Sequence, residues 1–128
     1  MKILLDSHIL NWTMDNPSKL SPIARDALED KQNELIVSVA SLWEISIKVG
    51  LGKLVLSQPF PIWSKAALVD LGAIMLPIEI DHAAFQATLP HHHGDPFDRM
   101  LVAQAITESM AVVSKDAILD AYGVQRIW

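Results

Sequence analysis

The sequence contains no cysteine, which excludes a disulfide framework, a thiol nucleophile and a cysteine-based zinc site and makes a reducing cytoplasm the default compartment. No stretch approaches the roughly 18 consecutive apolar residues that a membrane-spanning helix requires. The start, Met1-Lys2-Ile3-Leu4-Leu5, has the charge and apolar character of an export signal, but Asp6 and His8 break the run early. A soluble protein without membrane contact is expected. Cations are scarce as well: ten Lys and Arg against fifteen Asp and Glu give a net charge of −5. That is the wrong sign for a protein that passively coats nucleic acid, because phosphate binding uses clustered Lys and Arg. A protein that loads divalent cations escapes the objection, since two such ions in an acidic pocket would bring −5 to about −1.

What is present is a chain of 128 residues, of which 51% are hydrophobic and 20% charged, with a mean hydropathy of +0.27. This length suits one domain over residues 1–128 that buries roughly two-thirds of its unfolded surface. The composition excludes a mainly disordered chain and leaves apolar surface for partners or self-association. No repeat, linker or low-complexity segment divides the sequence.

Short apolar runs alternate with helical patterns. Ile3-Leu4-Leu5, Leu35-Ile36-Val37, Ile74-Met75-Leu76, Ala111-Val112-Val113 and Val124 to Ile127 read as strands. A helix of about two turns follows Asp6 and stops at Asn16-Pro17. Ser21-Pro22 is an N-cap with proline at the first helical position, leading a helix to about Asp30. Further helices are expected from Ala40 to Val49 and from Pro59 to Leu71, stopped by glycines, from Asp81 as a cap to near Pro90, from Asp95-Pro96 onward, and from Lys115 to Ala121. Strands this apolar need cover on both faces, so the expected fold is α/β: a three-layer α/β/α sandwich around a central, mainly parallel sheet.

In such sheets the ligand crevice lies beyond the carboxyl ends of the strands. Asp6 follows the first strand directly and Asp116 follows the fourth after Ser114-Lys115; each also suits a helix N-cap. Glu44 lies within about 60° of Ala40, Ile47 and Leu51 on its helix, an inward direction, while an i,i+4 pair with Lys48 is its surface alternative. Asp98 shares a face with Leu101, Val102 and Ala105. Asp95-Pro96 is explained as N-cap and N1; Arg99 suits a pair with the acids, a phosphate or a surface carboxylate. Ser7 and Ser114 suit either caps or groups that orient water or phosphate. His91, His92 and His93 precede the Asp98 helix, within reach of a substrate or metal, with a solvated loop as the simplest expectation. Trp12, Trp43 and Trp63 suit an interface or the core, with the core as the default expectation.

Carboxylates that converge repel one another unless a cation is present. All-oxygen donors select hard ions, Mg²⁺ or Mn²⁺, whose retained waters become nucleophiles for phosphodiester hydrolysis. An aspartyl-phosphate enzyme is disfavoured, because Asp6-Ser7-His8 lacks a second acid two residues on.

Leu4-Leu5-Asp6-Ser7-His8, Ser38-Val39-Ala40-Ser41-Leu42-Trp43-Glu44-Ile45, Asp95-Pro96-Phe97-Asp98-Arg99-Met100-Leu101 and Val113-Ser114-Lys115-Asp116 occur in that order. Together, and through the closing Tyr122-Gly123-Val124-Gln125-Arg126-Ile127-Trp128, they resemble a PIN domain of the VapC type, the ribonuclease toxins of prokaryotic toxin–antitoxin pairs. The resemblance implies an Mg²⁺- or Mn²⁺-dependent endoribonuclease with Asp6, Glu44, Asp98 and Asp116 as its metal-binding set. It also implies an RNA substrate, a homodimer and a cognate antitoxin that often places a basic side chain in the acidic pocket. The alternative from another class is a non-catalytic PIN-like module that binds RNA or protein; loss of acids would mark it, and all four are present.

Overall fold

In a computed structural model covering residues 1–128, five parallel strands form one sheet in the order β3-β2-β1-β4-β5. The strands are β1 (Lys2–Leu5), β2 (Glu34–Ser38), β3 (Ile74–Leu76), β4 (Ala111–Val113) and β5 (Arg126–Ile127). Between them run α1 (Ser7–Asp15), α2 (Pro22–Glu29), α3 (Val39–Gly50), α4 (Phe60–Leu71), α5 (Ile80–Thr88) and α6 (Pro96–Thr107). Two 3-10 segments, Pro17–Lys19 and Ala117–Tyr122, complete the chain.

The period-2 geometry of a strand sends alternate side chains to opposite faces, and two cores result. Ile3, Leu5, Leu35, Val37 and Val113 meet α1 to α4 through residues such as Ile9, Leu10, Ala24, Ile45 and Trp63. Leu4, Ile36 and Val112 face the other way, against Leu101, Val102 and Ala105 of α6 and Leu119. This is the α/β sandwich expected from the apolar strands. No helix is long and apolar enough to cross a membrane.

Trp63 anchors the first core: it is 1% exposed, and its indole N–H donates to Asp15 Oδ1 at 3.0 Å. Asp15 also accepts from the amide and hydroxyl of Ser57, tying the end of α1 to the segment before α4. Trp63→Phe is expected to cost about 1–2 kcal/mol, since it opens a small void and leaves the carboxylate one donor short. Urea denaturation checks it; an unchanged midpoint would deny the indole this anchoring role.

Several local expectations need correction. The cap of α5 is Glu79 rather than Asp81, because buried His82 accepts the Glu79 N–H at Nδ1 (3.0 Å) and contacts Glu108 Oε1 through Nε2 (2.8 Å). The segment after Asp116 is 3-10 rather than α-helix, and the last strand is only Arg126–Ile127. Trp43 is 59% exposed rather than in the core; it meets Phe97 edge-on, with ring centroids 5.3 Å apart. In α3 the buried face is Ala40, Ser41, Glu44 and Ile45. Glu44 is thus inward as expected, but Ile47 and Leu51, placed on its stripe by angle alone, are exposed, because the core takes the neighbouring side of α3, that of Ile45 and Val49.

Candidate active site

The sheet order fixes where a site can form. From β1 the chain builds outward through β2 and β3, then returns to add β4 and β5 on the other side. The crevice of a parallel sheet opens at such a reversal, beyond the strands' carboxyl ends. Asp6 leaves β1 there and Ser114 and Asp116 leave β4, and Asp6 N donates to Val113 O at 3.2 Å across the seam. A cleft of about 350 Å³ opens at this point, lined by Asp6, His8, Trp12, Asp98, Lys115 and Asp116.

Each acid is held by the start of a helix or by a hydroxyl. Asp6 is the N-cap of α1, its Oδ1 accepting His8 N at 2.9 Å, while Oδ2 accepts the Ser114 hydroxyl at 2.7 Å. Ser114 Oγ in turn accepts Asp116 N at 3.0 Å, and Asp116 Oδ1 caps the 3-10 segment through Ile118 N. Glu44, 6% exposed, accepts the Ser7 hydroxyl at 2.6 Å, and Ser7 Oγ lies 3.4 Å from Asp6 Oδ1. The i,i+4 contact with Lys48 is also present, at 3.5 Å, so the inward and paired readings of Glu44 both hold. Ser7 and Ser114 therefore orient carboxylates. Asp95 is the cap of α6, accepting Phe97 N at 2.8 Å and Asp98 N at 3.4 Å.

Two of the sequence-based expectations did not anticipate what their residues do. Arg99, beside Asp98, pairs with neither acids nor solvent. It is 5% exposed and donates to the carbonyls of Pro90, Gln86 and Leu89 at 2.8–3.2 Å. His93 is not in a solvated loop: its Nε2 lies 2.8 Å from Asp116 Oδ2 and 3.0 Å from Asp98 Oδ2. His93, Asp98 and Asp116 each present one ligand atom, all within 4.8 Å of one another. The network assigns the ring hydrogen. Nδ1 accepts Asp95 N at 3.1 Å, so Nε2 carries the proton and donates toward the two carboxylates. His93 is therefore a donor that holds Asp98 and Asp116 together, rather than a ready metal ligand. Its only sequence signal is its place two residues before the α6 cap, which does not set it apart from His91 and His92.

The electrostatics follow from burial and crowding. The Asp98 carboxyl is pushed up to about 7, first by burial and then by the negative charges of Asp6 and Asp95, against which His93 pulls down and Glu44 adds a further push. Burial also pushes Asp6 up, but hydrogen bonding from the His8 ring, the Ser114 hydroxyl and the His8 amide outweighs it and holds this carboxyl below its ordinary value. The same contact, with His8 Nδ1 at 3.4 Å from Asp6 Oδ1, raises the His8 imidazole. One acid is thus held ionised while its neighbour resists ionisation, which is the condition of a cluster lacking positive charge. The donors available to a cation are hard carboxylate oxygens, which fit Mg²⁺ or Mn²⁺.

Comparison with known proteins agrees with this fold. The family profile described as PIN domain matches residues 3–125, and the chain belongs to that family. Ribonuclease VapC22 of Mycobacterium tuberculosis is 30% identical over 121 residues, covering 94% of this chain and 91% of that protein. Among solved structures, VapBC2 from Rickettsia felis, bound to a DNA fragment from their promoter, is similar with a TM-score of 0.72 at 14% identity, covering 100% of both chains. VapBC-5 from Mycobacterium tuberculosis, a member of the VapBC family of toxin–antitoxin systems, is similar at 0.63 and 17%, covering 98% and 97%. At these identities the solved structures speak for the fold alone.

Proposed function

We propose that this protein is a metal-dependent endoribonuclease of the VapC type, the toxin of a toxin–antitoxin pair. The observation that carries the reading is that Asp6, Asp98 and Asp116 line one cleft at the sheet's reversal point. They stand in a chain 30% identical to a protein named as a ribonuclease. Asp6, Asp98 and Asp116, with Glu44 behind Ser7, would hold Mg²⁺ or Mn²⁺. When bound, such an ion supplies the Lewis acidity that activates water and neutralises the phosphate. The residues' own work is positional. Ser114 fixes Asp6 and the start of the Asp116 turn together, Ser7 fixes Glu44 against Asp6, and the Nε2–H of His93 keeps Asp98 and Asp116 converged. The overall change is hydrolysis: water adds at phosphorus, the bond to the 3′-oxygen breaks, and that oxygen leaves with a proton as a hydroxyl.

A cognate antitoxin and a homodimer complete the proposal. The VapBC structures support the partner, and exposed Ile74, Met75 and Ile80 supply apolar surface of the kind an interface covers. Purified, partner-free protein is expected to release discrete fragments from total cellular RNA with Mg²⁺ or Mn²⁺ and none with EDTA. Asp6→Asn, which removes a ligand without deleting volume, is expected to slow cleavage roughly 100-fold or more. Undiminished cleavage by that variant would remove Asp6 from the site; absence of both cleavage and ion binding would favour the non-catalytic module.

A further inference from the structure

The lysines are unevenly placed. Of seven in the chain, Lys115 lines the acidic cleft, and Lys19, Lys48 and Lys53 line a second cleft of about 320 Å³. The two clefts adjoin, since His8 and Trp12 line both. Two of the three arginines are committed elsewhere, Arg99 to buried carbonyls and Arg126 to Asp120. In a chain of net charge −5, more than half of the lysines therefore gather beside the carboxylates that would repel a polyanion.

Trp12 stands where the two clefts meet. It is the single hydrophobic residue among the six lining the acidic cleft. Lys19 Nζ lies 5.7 Å from its ring centroid, and the His8 ring lies 5.8 Å away on a tilted plane. The ring is steadied by Trp128, with centroids 6.0 Å apart, and an indole beside a lysine is what an unstacked nucleobase and its phosphate require. Lys19 is exposed, so its ammonium can leave the indole for a phosphate as a base takes its place. A base inside a duplex cannot reach an indole set within a cleft, which selects single strands.

We infer that the two clefts form one track for single-stranded RNA. Trp12 stacks the base beside the scissile phosphate, and Lys19 and Lys53 hold the phosphates leading away from Asp6, Asp98 and Asp116, while Lys48 stays with Glu44. The inference rests on the ribonuclease reading and adds to it the path of the strand.

The test uses the full-length Asp6→Asn protein with Mg²⁺, so that RNA is bound without rapid cutting, and a fluorescein-labelled 12-nucleotide single-stranded RNA read by anisotropy across a KCl series. Each phosphate contact on a single strand contributes about 0.7 to the slope of log Kd against log salt. Lys19→Ser with Lys53→Ser is expected to lower that slope by about 1.4 and to weaken binding roughly tenfold or more at low salt. Lys31→Ser with Lys65→Ser, the same charge change away from the two clefts, should leave the slope as it was. Trp12→Ala should weaken binding roughly tenfold and Trp12→Phe much less; because both lysines of the first variant are exposed, that arm does not depend on how Trp12 variants fold. Equal slopes for the two lysine pairs, or equal affinity for a duplex RNA of the same length, would overturn the track. If the wild-type protein nonetheless cleaves RNA with metal, the ribonuclease reading survives that outcome; if it neither binds nor cleaves RNA, both fall.

Discussion

Asp98→Asn is expected to abolish metal-dependent cleavage, by roughly 100-fold or more, and at the same time to make the metal-free protein more stable. The two effects have one cause. Burial and the charges of Asp6 and Asp95 push the Asp98 carboxyl up to about 7, far above its value in an unfolded chain. An acid whose folded pKa is raised binds more protons folded than unfolded, so stability falls as pH rises from about 4 to about 7. Asparagine removes the charge and nearly preserves the shape. Each tenfold of proton affinity corresponds to ~1.4 kcal/mol; with the partial exposure of the carboxyl and its lost contact with His93 set against that, the gain at pH 8 is about 1–3 kcal/mol. For a domain of this size that is a rise in Tm of several degrees. The gain should shrink as pH falls from about 7 toward 4, because the folded wild-type carboxyl regains its proton first and the unfolded one only near 4. Thermal melts of both proteins in EDTA at pH 5 and pH 8 measure it, and a variant less stable than wild type at pH 8 would show that Asp98 stabilises the apo fold instead.

The same linkage governs metal uptake. Cation binding must drive off any proton held by Asp98, so affinity for Mn²⁺ is expected to rise with pH through about 7 and to flatten above it. Titration calorimetry in two buffers of different ionisation enthalpy would read the released proton directly.

Much of this site was legible because its acids sit at positions that chain geometry alone singles out. Asp6 and Asp116 follow apolar strands, where any parallel sheet places its crevice. Asp98 breaks a helical face whose other members, Leu101, Val102 and Ala105, are all buried. Glu44 was legible for a weaker reason, since the stripe that pointed it inward was wrong at Ile47 and Leu51. Angular position on a helix says which side chains align; only tertiary packing says which side the core takes, and in α3 it takes that of Ile45 and Val49. His93 was hidden for a different reason. Its role depends on a loop folding back so that Nδ1 meets Asp95 N and Nε2 meets two acids from separate elements, and no local periodicity encodes that closure. Trp43 shows the converse, a large aromatic left exposed with its ring edge-on to the half-buried Phe97.

Arg99 is the residue whose chemistry and neighbourhood point most strongly in opposite directions, and its replacement separates structure from catalysis. It adjoins Asp98 in the sequence, yet its guanidinium faces the far end of α5, taking the carbonyls of Gln86 and Leu89 and that of Pro90. The last carbonyls of a helix lack partners within the helix and carry the negative end of its dipole, so a forked cation with five donors suits them where an ammonium does not. The same guanidinium lies 3.5 Å from the Tyr122 hydroxyl, which accepts His93 N at 2.9 Å. Arg99 thus holds α5 against α6 and, through Tyr122, steadies the loop that carries His93. Arg99→Ala leaves the Leu89 and Pro90 carbonyls without this donor and Gln86 O with Leu89 N alone; it is expected to cost about 3–5 kcal/mol, lowering Tm by roughly 10–20 °C. Arg99→Lys should recover only part of this. Cleavage should fall in both, and at low temperature, where the protein is folded, it should return toward wild type in a way that Asp98→Asn cannot. Unaltered melting with cleavage lost at every temperature would instead place the guanidinium in the chemistry.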